Sequence, residues 1–181
     1  MIKAKKKYGQ NFLVDKGVIS KIIEAINPNN SEKILEIGPG LGALTLQILN
    51  KIEHIDVVEI DPDMVKALRE KIPSSNITIF ASNILEMNND IIGEYDKVIG
   101  NLPYYISSEI LLKMIKTINN QKDLHFMLQK EVAERIASST HLKSYGRLSV
   151  MLQYFFDIEL LFDIQPESFS PPPKVTSSLV R

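Results

Sequence analysis

Apolar positions along the chain follow two different periods in alternation. Between residues 15 and 26 apolar side chains recur every three or four positions, which is typical of one face of a helix, and a run of Asn and Pro ends the pattern. Residues 33–38 then form a short, continuous apolar run of the kind found in buried strands. A glycine turn and a second helical pattern follow, with Leu44, Ile48 and Leu49 on one face. This part of the chain is therefore predicted to form a helix, a strand and a second helix.

Strand-type and helix-type segments keep alternating toward the end of the chain. Repeated strand and helix units of this length favour parallel strands joined by right-handed crossovers. The prediction is an α/β fold, with a doubly wound, mostly parallel sheet and helices on both faces. Further strands are predicted at residues 54–60, 76–80, 95–100, 124–129 and 157–164, and further helices after Pro62 and at residues 107–118, 130–137 and 146–156. Residues 166–174 are predicted to form a stiff loop, and the last seven residues receive no element.

Composition narrows the class of protein. The 181 residues suit one globular domain, and no repeat or linker divides them. Cysteine is absent from the sequence, so disulfides and thiolate metal sites are excluded, and the three histidines are scattered, so no metal is expected. No apolar stretch reaches membrane-spanning length, and the N-terminus lacks the apolar core of a signal peptide. We expect a soluble cytoplasmic protein without a membrane partner.

Charge is balanced overall but unevenly distributed. The formal net charge of −1 argues against a nucleic-acid partner. However, Lys3, Lys5, Lys6 and Lys7 crowd the first seven residues, and such a basic arm can hold phosphates locally. Charge alone favours a solvated tail at least as well, so both interpretations of the arm stay open.

Candidate ligand-binding residues follow two of the predicted strands. In sheets of this kind ligands bind at the carboxyl ends of the strands. Gly38, Gly40 and Gly42 stand between a strand and a helix, where glycine permits a sharp turn and a close approach of the ligand to the backbone. Glu59 follows Gly38 by 21 positions, at the end of the next strand, and its carboxylate can accept both hydroxyls of a ribose. These motifs predict nucleoside binding, and they do not separate a nicotinamide cofactor from S-adenosylmethionine.

Asn83 lies at the end of a third strand. Its amide can accept from the exocyclic amine of an adenine or donate to a ring nitrogen. Taken by itself, an asparagine at this position is more often a turn residue. Its position alone therefore does not establish a contact with an adenine.

The fourth strand end carries the reaction chemistry, in the run Asn101, Leu102, Pro103 and Tyr104. An exocyclic amine on a planar base is a poor nucleophile, because its lone pair is delocalised into the ring. The Asn101 side-chain oxygen and the Leu102 carbonyl can accept both N–H groups and aim the lone pair at a methyl donor. Pro103 restricts Leu102 to extended geometry, and Tyr104 can stack on the base. The alternative is a proline-terminated strand with core tyrosines, which we consider the weaker interpretation.

Seven motifs along the chain carry a resemblance to a known family. They read YGQNFL, EIGPGLGALT, VVEID, NLPYYIS, LQKEVAERI, YGRLSVMLQ and SFSPPPKVTSSLVR. Together they resemble the ribosomal RNA adenine N6,N6-dimethyltransferases, and within that family the small-subunit dimethyladenosine transferase group. The resemblance implies a Rossmann-like class I methyltransferase fold, S-adenosylmethionine as the methyl donor and the dimethylation of two adjacent adenosines near the 3′ end of small-subunit RNA. It implies small-subunit ribosomal RNA, or the pre-ribosomal small subunit, as partner during ribosome biogenesis, and a monomer.

The resemblance also implies a role for each matching residue. The first 13 residues would form the basic arm and a segment that closes over the cofactor. Phe169 would stack on the flipped base opposite Tyr104. Residues 1–181 would form the catalytic domain alone, because the family normally continues into a small helical C-terminal domain. The cofactor would contact Asn11, Leu13, Gly38, Gly40, Glu59, Asn83, Ile84 and Asn101, and the target amine would be held by Asn101, Leu102, Pro103 and Tyr104.

One departure from the family pattern concerns the cofactor. The family usually has Asp where this chain has Asn83, so an acceptor oxygen is kept and the charge is lost. Lower cofactor affinity is the expected consequence.

Three other functions share many of these motifs. An erythromycin-resistance methylase would act on large-subunit RNA, and a DNA adenine methyltransferase would share Asn-x-Pro-Tyr. A non-catalytic nucleic-acid-binding relative would keep the fold without transferring a methyl group. The Tyr-Ile-Ser run after Tyr104 and the ending of the chain favour the RNA enzymes over the DNA enzymes.

Overall fold

The computed structural model describes residues 4–118 and 123–181, so Lys3 of the predicted basic arm lies outside the described residues. Its main feature is a seven-stranded sheet with the strand order β4-β3-β2-β5-β6-β9-β7. Neighbours from β4 to β6 pair in parallel, whereas β9 is antiparallel to both β6 and β7. The strands are β1 Phe12–Leu13, β2 Ile34–Ile37, β3 Ile55–Val58, β4 Ile77–Phe80, β5 Lys97–Asn101, β6 Asp123–Gln129, β7 Leu160–Ile164, β8 Phe169–Ser170 and β9 Ser177–Val180.

Seven α-helices connect and cover the strands in the described part of the chain. They are α1 Lys16–Ile26, α2 Ala43–Ile48, α3 Pro62–Lys71, α4 Asn89–Ile92, α5 Ser107–Lys116, α6 Lys130–Ile136 and α7 Arg147–Gln153. The prediction of a doubly wound, mostly parallel sheet is confirmed. Across the described ranges, no helix combines the length and the apolar character needed to cross a membrane.

The strands read as continuous apolar runs because both faces of the sheet are covered. Successive residues of one strand point to opposite faces and therefore enter two separate cores. In β2, Ile34 joins one core and Leu35 joins the other. In β5, Ile99 and Val98 divide in the same way. This double burial explains why the predicted central strands lack a polar face.

Helix α1 begins and ends where its sequence signals place it. The Asp15 carboxylate caps the helix by accepting from the backbone N–H groups of Gly17 at 2.8 Å and Val18 at 3.1 Å. Asn27 ends it in the left-handed region, with φ of 44°. The helix packs Ile22 and Ile26 into the core, so that the segment before it is held close to the sheet.

The last part of the chain differs from the prediction. Residues 166–174 contain a short 3-10 turn, Pro166–Ser168, and strand β8. Strand β8 pairs with β1 in a separate two-stranded sheet, with Leu13 opposite Phe169. The unassigned final residues form β9, which lies between β6 and β7.

Strands β2 and β5 approach closely at the end where the site forms. A Cβ atom on Gly100 would lie 2.5 Å from the carbonyl oxygen of Ile37, far inside van der Waals contact. Glycine is therefore required there by the spacing of the two strands. The close approach brings the loop after β2 and the segment after β5 to one place.

Candidate active site

A cavity of about 280 Å³ opens at the carboxyl ends of β2, β3 and β5, close to the lower limit of roughly 300–1,000 Å³ for small-molecule sites. The structure brings together here every predicted site residue except Phe169. The predicted residues that line it are Asn11, Leu13, Gly38, Gly40, Glu59, Asn83, Ile84, Asn101, Leu102, Pro103 and Tyr104.

The glycine loop after β2 turns through the left-handed region. Gly38 and Gly40 have φ of +66° and +53°, which side chains with a Cβ rarely adopt. The ring of Phe12 packs against Gly40 so closely that a Cβ there would lie 3.1 Å from the ring. The N-terminal segment therefore lies directly on the glycine loop, and the absence of a side chain at Gly40 permits it.

Glu59 forms one polar wall of the cavity. Its side chain is buried, and its two carboxylate oxygens accept from the backbone N–H groups of Gly40 at 3.1 Å and Asp61 at 2.8 Å. Burial raises the pKa of Glu59, and these backbone hydrogen bonds partly oppose the rise. Each oxygen has a further lone pair, so the carboxylate can also accept from two hydroxyls.

Glu36 is a second buried carboxylate at this cavity, and it is not among the residues predicted from the sequence. It lies on β2, and its Oε2 accepts from the Thr45 hydroxyl at 2.6 Å. Burial raises its pKa to about 7, opposed by the Thr45 hydrogen bond and assisted by the nearby charge of Glu59. The sequence signal that could have identified Glu36 is an acidic residue two positions before Gly38, the first glycine of the loop after β2.

Asn83 combines the two roles that the sequence left open. It lines the cavity, and its Oδ1 also accepts from the backbone N–H of Leu85 at 3.0 Å, which begins the 3-10 turn Ile84–Glu86. One lone pair of Oδ1 is therefore used inside the chain. The role of Asn83 toward an adenine stays a prediction.

The Asn101 side chain has a fixed orientation. Its Nδ2 donates to the backbone carbonyl of Asn11 at 2.9 Å, and among the described residues its Oδ1 accepts no hydrogen bond. The backbone N–H of Leu102 donates to the Met127 carbonyl at 3.2 Å, which extends the strand pairing past β5. Pro103 then turns the chain into a short 3-10 helix, Tyr104–Ile106. Two acceptor groups, one on a side chain and one on the backbone, thus stand at the end of β5.

Tyr104 forms a hydrogen bond with the last strand of the chain. Its hydroxyl is 2.6 Å from the hydroxyl of Ser177, the first residue of β9. Burial raises the pKa of Tyr104 more than this hydrogen bond lowers it, so the phenol is neutral. The neighbouring Tyr105 is 61% exposed and lies at the mouth of the cavity.

Phe169 is the one predicted site residue that does not line the cavity. It is 3% exposed, belongs to a hydrophobic core that also contains Leu13, and is absent from the cavity lining. A buried ring offers no free face to a flipped base. In this structure Phe169 is a core residue, because the β1–β8 pairing draws it inward. Its stacking role stays a prediction, which requires the ring to become exposed.

One lysine of the basic arm is held by ion pairs within the chain. The Lys5 ammonium group contacts the carboxylates of Asp61 and Asp63 at 2.6 Å each, so Lys5 is not a free tail residue. Whether the arm holds phosphates stays a prediction. Lys7 is exposed, with its ammonium group 4.4 Å from the ring centre of Tyr8. Within the described ranges, no group of three His, Asp or Glu side chains is arranged to hold a metal ion.

Comparison with known proteins identifies the family. The family model described as ribosomal RNA adenine dimethylase matches residues 1–181. The chain belongs to this family. The family prediction made from the motifs is therefore confirmed.

Similar proteins include three bacterial relatives, each named ribosomal RNA small subunit methyltransferase A. The relative from Methylobacillus flagellatus is 46% identical over 178 residues, which are 98% of this chain and 70% of the relative. The relative from Legionella pneumophila is 47% identical, with the same shares of the two chains. The relative from Neisseria meningitidis serogroup B is 45% identical over 99% of this chain and 69% of its own length.

Two solved structures share the fold. A dimethyladenosine transferase from Plasmodium falciparum matches with a TM-score of 0.85 and 29% identity, covering 93% of this chain and 62% of that chain. The 23S rRNA methyltransferase ErmE matches with a TM-score of 0.76 and 28% identity, covering 94% of this chain and 68% of that chain. The chain thus spans about two thirds of the length of these proteins, and the prediction of a Rossmann-like methyltransferase fold is confirmed.

Proposed function

We propose that the chain catalyses the S-adenosylmethionine-dependent N6,N6-dimethylation of two adjacent adenosines near the 3′ end of small-subunit ribosomal RNA. The observation that carries the chemistry is the orientation of Asn101, whose amide nitrogen is used by Asn11 and whose oxygen is left to accept. The choice of small-subunit RNA is supported by the names of relatives that are 45% to 47% identical.

The residues around the cavity fit S-adenosylmethionine. Glu59 has unused lone pairs for the ribose hydroxyls, and Asn83 and Ile84 border the place for the adenine. Gly38 and Gly40 expose the backbone to the methionine part, and Asn11 and Leu13 cover it. Two buried carboxylates, Glu36 and Glu59, suit a ligand that carries positive charge.

The methyl transfer follows from the residues at the end of β5. When bound, S-adenosylmethionine supplies a methyl group activated by its sulfonium sulfur. The Asn101 oxygen and the Leu102 carbonyl accept the two N–H groups of the target adenine and localise the nitrogen lone pair, while Tyr104 stacks on the ring. These residues would hold the target nitrogen with its lone pair toward the methyl group that the cofactor would supply, and the methyl group would pass to the nitrogen while the sulfur keeps the electrons of the broken C–S bond. The nitrogen is then positively charged and releases its extra proton to solvent, so no catalytic base is assigned. Positioning supplies most of the rate, a contribution that reaches roughly 7 to 11 kcal/mol in well-oriented systems.

The wider setting belongs to the same proposal. The partner is the small-subunit RNA or a pre-ribosomal small subunit in the cytoplasm, and the chain acts as a monomer during ribosome biogenesis. Residues 1–181 form the methyltransferase domain.

Methyl transfer to ribosomal particles tests the function. The protein is incubated with S-adenosylmethionine labelled on its methyl group and with small subunits that lack the modification. We expect label in N6,N6-dimethyladenosine at two adjacent positions near the 3′ end, mapped by mass spectrometry of RNA fragments. Naked large-subunit RNA is the second substrate, because the ErmE match makes a large-subunit methylase the alternative. Label in large-subunit RNA alone would favour that alternative, and no transfer to either RNA would favour a non-catalytic relative.

A further inference from the structure

A polar network joins the N-terminal segment, residues 5–13, to the start of helix α3. The Lys5 ammonium group contacts one carboxylate oxygen of Asp61 at 2.6 Å, and the Gln10 side-chain amide donates to the other oxygen at 2.9 Å. The Gln10 side-chain oxygen in turn accepts from the Lys5 backbone N–H at 2.7 Å. Both oxygens of Asp61 are therefore held by residues of the N-terminal segment.

Asp61 also connects this network to the ribose-binding carboxylate. Its backbone N–H donates to Glu59 at 2.8 Å, and the other oxygen of Glu59 accepts from Gly40 at 3.1 Å. Phe12 from the N-terminal segment packs on that same glycine. The segment thus crosses the cavity between two fixed points, the Asp61 carboxylate and the glycine loop.

The Lys5–Asp61 ion pair differs from an ordinary surface pair. The side chain of Asp61 is 0% exposed and that of Lys5 is 31% exposed, so solvent screens the pair only in part. Burial alone would raise the pKa of Asp61, but the hydrogen bonds from Lys5 and Gln10 outweigh it, and the pKa lies below its ordinary value. A buried carboxylate that loses its cation is costly, so the pair is a strong attachment for the segment.

We propose that Lys5 and Asp61 are positioning residues of the cofactor site, whose ion pair holds residues 9–13 across the cavity and thereby sets cofactor affinity. The inference rests on the proposed function for the identity of the cofactor. It assigns Lys5 to cofactor binding through the N-terminal segment and takes it away from RNA phosphates.

Two lysine variants of the same segment test the proposal. Lys5→Met removes the ion pair, whereas Lys7→Met removes an equal charge from a residue for which the described structure gives only the contact with Tyr8. We expect Lys5→Met to weaken S-adenosylmethionine binding about tenfold in calorimetry, as for the loss of one charge-assisted contact. It should also speed amide hydrogen exchange in residues 8–14 of the ligand-free protein. Lys7→Met should change neither quantity, and Lys5→Arg should restore both.

A double variant isolates the ion pair from the capping role of Asp61. Asp61→Asn keeps an acceptor for the backbone N–H of Asp63, so helix α3 keeps its cap while the charge is lost. Adding Lys5→Met to Asp61→Asn should therefore cost less affinity than Lys5→Met costs alone, and the remaining loss belongs to the Lys5 contact with Asp63 at 2.6 Å. Full additivity of the two losses would overturn the pairing.

The outcomes separate this inference from the proposed function. If the wild-type protein binds no S-adenosylmethionine, the proposed function fails, and faster exchange in Lys5→Met than in Lys7→Met still supports the hold on the segment. If the wild-type protein binds and the two lysine variants behave alike, the inference is overturned. Faster exchange without loss of affinity would overturn the positioning role as well.

Discussion

At position 101, an amide places a hydrogen-bond donor and a separate acceptor on one short side chain. Its nitrogen donates to the Asn11 carbonyl at 2.9 Å, and its oxygen, at the end of β5, accepts no hydrogen bond from the described residues. A carboxylate would provide the acceptor without the donor, and an aliphatic side chain would provide neither. The side chain proposed to orient the target amine is thus itself held by a hydrogen bond to the N-terminal segment.

Replacement of Asn101 by Ala should therefore remove chemistry and leave cofactor binding largely intact. The lost acceptor acts on the amine in the transition state, and single groups of this kind contribute roughly 10² to 10³ in kcat. Single-turnover methyl transfer measures the rate, and calorimetry with S-adenosylmethionine measures binding. Retained turnover would contradict the role of Asn101, and a parallel loss of binding would assign the residue to the cofactor instead. Asn101→Asp, which keeps an acceptor and lacks the donor, separates the two interactions.

Residue roles could be predicted from the sequence where they depend on local backbone. The glycines after β2 and Glu59 after β3 lie at strand ends that the apolar pattern locates, so the cavity lining followed from them. Phe169 could not be placed in this way, because its burial comes from pairing with Leu13, which is distant in sequence. The Lys5–Asp61 ion pair could not be predicted either, because the two residues are distant in sequence.

At the scale of elements, β9 shows what an apolar pattern cannot reveal. Ser177 and Ser178 are the first two residues of this strand, and although both are polar, both are buried. Their hydroxyls are satisfied by distant partners, Tyr104 at 2.6 Å and Asp163 at 2.7 Å. A buried hydroxyl is tolerated when it is hydrogen-bonded, and those partners come from other elements, so the sequence pattern alone gave no sign of the strand.

The hydrogen bond between Ser177 and Tyr104 predicts that β9 influences the methyl transfer proposed at the end of β5. Ser177→Ala leaves the tyrosine hydroxyl without its partner, so the ring loses one restraint on its orientation. We expect kcat to fall several-fold, roughly the effect of one neutral hydrogen bond worth about 1 kcal/mol, while the affinity for S-adenosylmethionine stays unchanged. Steady-state kinetics with small subunits and cofactor calorimetry measure the two quantities.

The matched control for this hydrogen bond is Tyr104→Phe, which keeps the ring and removes the hydroxyl. If the hydrogen bond is what connects the two residues, the double variant should be no slower than the slower single variant. Independent, additive losses would show that Ser177 acts by some route other than the tyrosine. Ser177→Thr, which keeps a hydroxyl, should preserve the rate if the larger side chain is accommodated.

At the scale of the whole molecule, two carboxylates are buried beside the doubly wound sheet, where their burial lowers the stability of the folded protein. Glu36 lies on β2 and Glu59 directly follows the neighbouring strand β3. Both are buried, and burial raises the pKa of both. A sheet covered on both faces would be more stable with apolar residues at such positions. The same positions border the cavity proposed for a cationic cofactor, so stability is given up where the proposed function needs negative charge.

The burial of the Glu36 carboxylate predicts how the stability of the folded protein depends on pH. Its pKa in the folded protein is about 7, above the ordinary value of 4.5, so its contribution to stability is fully present below 4.5 and is lost as the pH rises to about 7. Glu36→Gln does not titrate and can still accept from Thr45. The variant should therefore gain stability over the wild type by about 1–3 kcal/mol at pH 8, and by little at pH 5. Thermal unfolding at both pH values measures the difference.

The Glu36→Gln variant should also bind S-adenosylmethionine less tightly than the wild type at pH values where Glu36 is ionised. If the carboxylate of Glu36 faces the positive charge of S-adenosylmethionine, cofactor binding favours its ionised form and releases a proton near neutral pH. Wild-type affinity should then rise between pH 6 and pH 8 relative to that of Glu36→Gln. Glu24→Gln, which removes an exposed carboxylate on α1, controls for net charge. A variant that gained stability at pH 8 without losing affinity would show that the buried charge of Glu36 serves no part of cofactor binding.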